Sequence, residues 1–187
     1  MINAAIFASG EGTNAENIIQ HFSNDPRIKI KLVVTNRDDA GVIARAEKYK
    51  KNVQIISKEA LNNYTDKIIE FFHAEKIDLI ILAGFLLKMP EQFVKAFPNR
   101  IINIHPALLP KHGGKGMFGM NVHKAVIDAK DTESGITIHF VNEEYDKGEV
   151  ILQVKCPVDL NDSPETLAQK IRALEHQHYP LAIEKLL

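Results

Sequence analysis

One cysteine, Cys156, stands among 187 residues. It has no partner for an internal disulfide and rules out a cysteine-rich zinc site, a usage that fits a reducing interior. Long apolar runs are lacking as well. Met1-Ile2-Asn3-Ala4-Ala5-Ile6-Phe7 carries no basic flank and meets Ser9-Gly10 too soon to cross a bilayer, so neither a signal peptide nor a membrane anchor is expected. No sign of charge is in excess. Lys and Arg number 23 against 24 Asp and Glu, for a formal charge of −1 without a dense basic stripe, which argues against general nucleic-acid binding. The histidines lack a His-Glu-x-x-His pattern, and His123, His139, His176 and His178 are poorly arranged as ligands, so no metal is expected. No repeat, low-complexity tract or interdomain linker interrupts the chain. What is present, 45% hydrophobic and 25% charged residues, is an ordinary globular composition for one cytoplasmic domain spanning 1–187.

Apolar periodicity predicts strand, turn and helix in alternation. Ala4 to Ala8 reads as a strand, stopped by Ser9-Gly10-Glu11-Gly12-Thr13-Asn14 and followed by a helix with Ile18, Ile19 and Phe22. Ile28 to Thr35 and Val53 to Ile56 are further strands, with a helix around Val42 to Lys50 between them. Ser57 caps one helix carrying Leu61, Ile68, Ile69 and Phe72. Leu79-Ile80-Ile81-Leu82 is apolar on consecutive positions, as a strand covered on both faces requires. A short helix near Glu91 to Ala96 precedes Arg100-Ile101-Ile102. The expected class is α/β, a doubly wound, mostly parallel sheet. Beyond 105 a glycine-rich loop from His112 to Met120 reads as mobile and functional. Gly135 to Val141 and Val150 to Pro157 suggest an antiparallel extension, and Ser163-Pro164-Glu165 opens a long terminal helix.

Asn103-Ile104-His105-Pro106 is the most informative stretch. A carboxamide and an imidazole two residues apart on a strand point the same way, and Pro106 fixes where that strand leaves the sheet. An open parallel sheet places its ligands beyond such strand ends. An amide donor beside a titratable ring suits chemistry at a carbonyl; a structural His-Pro corner is the bland alternative. Asp146, in the turn before Gly148, is the carboxylate best placed to fold over that corner, where it would favour imidazolium; otherwise it is a surface turn residue. Gly10-Glu11-Gly12-Thr13-Asn14-Ala15 offers a helix start for an anion. It also satisfies a loose dinucleotide fingerprint, with Thr35-Asn36-Arg37 where an acidic ribose ligand is expected. Thr13 and Asn14 better suit a terminal phosphomonoester, and a capped turn with no ligand is the third reading.

The ordered set Ser9-Gly10-x-Gly12-Thr13-Asn14, Leu82-Ala83-Gly84-Phe85, Asn103-Ile104-His105-Pro106-x-Leu108-Leu109-Pro110, His139-Phe140-Val141, Asp146-x-Gly148 and Glu175-His176 resembles the phosphoribosylglycinamide formyltransferases, nearly end to end. The resemblance implies a Rossmann-like formyltransferase fold and formyl transfer from 10-formyltetrahydrofolate to glycinamide ribonucleotide in purine biosynthesis. It implies that residues 1–105 bind the nucleotide phosphate and 106–187 carry folate binding and catalysis. Asn103, His105 and Asp146 are then the catalytic trio, Gly12, Thr13 and Asn14 hold the phosphate, and Glu175 places the glycinamide end. Leu86, Leu87, Lys88 and Met89, with Asn142, Glu143, Glu144 and Tyr145, line the folate pocket. It further implies small-molecule partners, a monomer or weak homodimer, and a cis bond at Leu109-Pro110. Leu61 and Leu87-Lys88 depart from relatives that carry arginine there. Other formyl-folate enzymes, a hydrolase or a methionyl-tRNA formyltransferase, share the Asn-x-His chemistry but carry extensions not expected here. A nucleotide-binding module without catalysis is the competing class.

Overall fold

The computed structural model describes all 187 residues, which form two compact units, residues 1–102 with Leu187, and residues 103–186. In the first, β1 (Ile2–Phe7), β2 (Ile28–Thr35), β3 (Asn52–Ile55) and β4 (Leu79–Leu82) lie in the order β3-β2-β1-β4. β1 runs parallel to both β2 and β4, and β2 parallel to β3. The four residues of β4 are all buried, as their unbroken apolarity requires. Between the strands run α1 (Thr13–His21), α2 (Val42–Lys48), α3 (Lys58–Asn63) and α4 (Thr65–Ala74), and α5 (Glu91–Ala96) follows β4. Phe7, Phe72, Phe93 and Phe97 form a ring cluster with Phe93 and Phe97 centroids 5.1 Å apart, an arrangement that adds to simple area burial.

The single helix expected after Ser57 is broken in two. Ser57 does accept the Ala60 N–H, but Tyr64 leaves helical geometry at φ −125 and ψ 30. The Thr65 hydroxyl donates to the Leu61 carbonyl at 2.7 Å, competing with the backbone ladder. Two asparagines before Tyr64 are weak helix formers, and no periodicity rule registers their effect.

β5 (Ile101–His105) brings the chain into the second unit. There the order is β5-β6-β7, with β6 (Glu133–Phe140) antiparallel to β7 (Val150–Pro157) as expected. α6 (Met120–Asp128) and α7 (Pro164–Glu184) pack together, and α7 also covers β6 and β7. Buried Val122, Val126, Ile136, Ile138, Leu167, Ile171 and Ile183 supply this core. Ser163 caps α7 reciprocally with Thr166, and Pro164 occupies its first turn. A register shift between Ile138 and His139 bulges the hairpin at its loop end, where such irregularities re-aim side chains. The fold is a mixed parallel and antiparallel α/β, Rossmann-like architecture with a C-terminal helix.

Candidate active site

The second unit gathers Asn103, His105, His139 and Asp146. His105 ends β5 and is 3% exposed. Its Nε2 lies 2.8 Å from the His112 carbonyl oxygen. A carbonyl only accepts, so Nε2 carries the proton and the neutral ring keeps its lone pair on Nδ1. That Nδ1 faces Asp146 Oδ2 at 3.7 Å. Asp146 stands at φ 53, a left-handed turn position that aspartate tolerates better than most residues. Its Oδ2 accepts the Gly114 N–H at 2.8 Å.

His139 completes the group. Its Nδ1 donates to the Phe140 carbonyl at 2.8 Å, leaving Nε2 as an acceptor. Asn103 Nδ2 lies 3.2 Å from that Nε2. The tautomer therefore settles the amide: Asn103 gives one N–H to His139 and keeps the other. Asp146 Oδ1 is 3.7 Å from the same Nε2, so one carboxylate serves two imidazoles. The sequence weighed His139 only as one of four histidines poorly arranged to hold a metal. It is hydrogen-bonded to the Phe140 carbonyl and to Asn103, and only its place in the His139-Phe140-Val141 motif signalled this.

One expectation needs correction. Asp146 was expected to raise the His105 pKa, and its charge does act that way. Burial acts more strongly in the opposite direction, and the net shift is downward. Folding therefore favours the neutral His105 ring, with its lone pair on Nδ1. Burial also lowers His139, and it lowers His123 together with the nearby positive Arg172. These three rings resist charging when folded and take up protons when unfolded. They contribute stability above about pH 6.5, the unfolded value, and lose it as pH falls through their folded values. Urea midpoints measured from pH 8 down to 5 are expected to fall on the acid side of 6.5, and a flat profile contradicts burial of neutral rings.

The glycine-rich loop is tied at several points. Lys111 Nζ and His112 Nε2 reach the two oxygens of Asp131 at 2.6 and 2.7 Å, and Gly114 is held by Asp146. Leu109-Pro110 is cis. No three His, Cys, Asp or Glu side chains converge as a metal-holding group.

The other candidates lie at the first turn, after β4, in the β6-β7 connection and on α7. Gly12 sits at φ 73 before α1, with Thr13 and Asn14 half-buried as its first residues. Arg37, raised above as a dinucleotide contact, is exposed and paired with Asp39. Ser9 is 2% exposed, donates to Asn36 Oδ1 at 2.5 Å and accepts the Leu86 N–H at 2.9 Å. It thereby moors the segment containing Leu86, Leu87, Lys88 and Met89, of which only Met89 is buried. In the second unit, Asn142 Oδ1 accepts the Glu144 N–H, and Glu143, Glu144 and Tyr145 are exposed. Glu175 is half-buried on α7, and its charge assists burial in raising the Tyr179 hydroxyl pKa.

Residues 2–183 match the formyl transferase family model. The chain is 37% identical to the phosphoribosylglycinamide formyltransferase of Haemophilus influenzae, over 98% of its own length and 86% of that protein. It belongs to the phosphoribosylglycinamide formyltransferase family. A chloroplastic member from Arabidopsis thaliana is 40% identical, and the chain spans 62% of that longer protein. Among solved structures, glycinamide ribonucleotide transformylase 1 of Geobacillus kaustophilus superimposes with a TM-score of 0.91 at 31% identity, covering 100% of this chain and 99% of that one. The phosphoribosylglycinamide formyltransferase of Bacillus halodurans gives 0.90 at 33%, covering 99% and 95%. The formyltransferase fold thus accounts for both units, and no helix is long and apolar enough to cross a membrane.

Proposed function

We propose that the chain transfers the formyl group of 10-formyltetrahydrofolate to the amine of glycinamide ribonucleotide, yielding formylglycinamide ribonucleotide and tetrahydrofolate in purine biosynthesis. The observation that carries this reading is the grouping of Asn103, His105 and Asp146, with Asn103 joined through His139, in a chain that matches the family from residue 2 to 183. In this reading 1–187 acts as one formyltransferase domain, cytoplasmic and without a metal, and works as a monomer or weak homodimer. Residues 1–105 bind the nucleotide phosphate and end on Asn103 and His105, and 106–187 form the folate-binding and catalytic half that brings Asp146 to them.

Gly12, Thr13 and Asn14 hold the phosphate through amides at the start of α1, and Glu175 orients the glycinamide amine. Leu86 to Met89 and Asn142 to Tyr145 meet the folate. Both segments lie outside helices and strands, so their peptide groups are not committed to ladders and fit the donors and acceptors of a pteridine. The amine attacks the formyl carbon, and the free N–H of Asn103 binds the oxygen as it becomes negative. His105 Nδ1 takes the proton released by the new C–N bond. Asp146 stabilises the imidazolium so formed, which returns the proton to the departing folate nitrogen as the oxygen's electron pair re-forms the carbonyl.

Purified protein mixed with both substrates, with the folate absorbance followed, tests this. Tetrahydrofolate is expected only when glycinamide ribonucleotide is present. Equal release with water or tRNA as acceptor overturns the assignment, as does dinucleotide binding without any turnover.

A further inference from the structure

Two consecutive carbonyls of the first turn are held from α2. The Val42 N–H donates to the Gly10 carbonyl at 3.1 Å, and Arg45 Nε–H donates to the Glu11 carbonyl at 2.7 Å. In a planar trans peptide the C=O and the following N–H point in opposite directions. Fixing both carbonyls toward α2 therefore aims the Glu11 and Gly12 amides away from it. The left-handed Gly12 then turns the chain into α1, where the first amides have no intrahelical acceptor. Successive amides around one left-handed residue make a concave anion cradle. The packing leaves this turn little freedom. A Cβ on Gly12 lands 2.5 Å from the Val42 side chain, and one on Gly41 lands 3.2 Å from the Glu11 Cα.

Arg45 spends its charge elsewhere. Glu16, whose side chain is 14% exposed, pairs with Arg45 Nη1 and with Lys48. The guanidinium is neutralised by this partner, while Nε alone reaches the turn. Its planar fork satisfies both contacts at once, a geometry that an ammonium does not reproduce.

We propose that Arg45 is a positioning residue for the phosphate of the ribonucleotide: it sets the plane of the Glu11-Gly12 peptide so that the Gly12 amide faces the anion. The proposal rests on the placement of the phosphate at this turn given above. It is tested by comparing glycinamide ribonucleotide with its ribonucleoside, which lacks the phosphate, in the intact protein. The wild type is expected to favour the ribonucleotide strongly in kcat/KM. Arg45→Met is expected to lose about tenfold of that preference by raising the ribonucleotide KM, with kcat, the folate KM and the ribonucleoside kinetics within about twofold of wild type. Arg45→Lys, which keeps a cation opposite Glu16, is expected to lose preference as well. Wild-type discrimination in Arg45→Lys overturns the geometric role, and so does an equal loss toward both acceptors in Arg45→Met. A wild type that does not distinguish the two acceptors instead removes the phosphate placement itself, and the proposal with it.

Discussion

Replacing His105 with alanine is expected to lower turnover by about 10²-fold or more, the scale associated with losing a positioned acid-base group. The variant loses the one ring nitrogen that carries a free lone pair beside Asp146. The His112 carbonyl loses its donor, and Asp146 is left with the Gly114 amide and the more distant His139. The wild-type pH profile carries a matching signature. Burial holds His105 below its usual range, and the neutral ring is the working form. Activity is therefore expected to hold from neutrality down to about pH 6.5 and to fall below it, with an inflection belonging to the coupled rings of His105 and His139. Single-turnover formyl transfer measured between pH 5 and 8 reports both effects. Near-normal turnover in the alanine variant, or an acid limb that begins above neutrality, removes His105 from the proton path.

The alternation of strands and helices was legible because burial on a regular element leaves a periodic trace. Leu79 to Leu82 is one example, and Ile18 and Ile19 on α1 are another. The break at Tyr64 left no such trace, since it depends on a hydroxyl competing for one carbonyl. Strand alternation sufficed to put Asn103 and His105 on one side. Their meeting with Asp146 depends on a left-handed backbone position and a bulge in the facing hairpin, which hydrophobic patterning does not encode. His139 was harder still, because a buried strand histidine looks the same whether it bonds to a carbonyl or orients an amide. The protonation of His105 depends on the balance of burial against one carboxylate, and that balance exists only in three dimensions. The glycine spelling of the first turn was plain. Its fixation from α2 was not, because Arg45 lies 34 residues beyond the carbonyl it holds.

Gly148→Ala is expected to remove stability and catalysis together. A Cβ at this position falls 1.6 Å from the Phe140 carbonyl oxygen, 2.6 Å from its carbon and 3.5 Å from His139 Nδ1. The nearest obstacle is backbone, so no side-chain rotation relieves it, and the loop end of the β6-β7 hairpin has to spread. The Phe140 carbonyl is also the acceptor that fixes the His139 tautomer, and that tautomer in turn orients Asn103. Asp146 stands two residues before the substituted position, in the same turn. The strain is expected to reach about 3 kcal/mol, at the upper end for overpacking, or about 6–12 °C in Tm for a chain of this size. Gly10→Ala is the control for stability, since Gly10 has an ordinary φ and nothing within 4 Å of its added Cβ, and its Tm is expected to stay near wild type. Thermal unfolding and formyl transfer measured on the same preparations decide the matter. A Gly148→Ala protein with unchanged Tm and undiminished turnover would show that the loop end of the hairpin spreads freely, and that the close packing of Gly148 on Phe140 does not hold Asp146 and His139 in place.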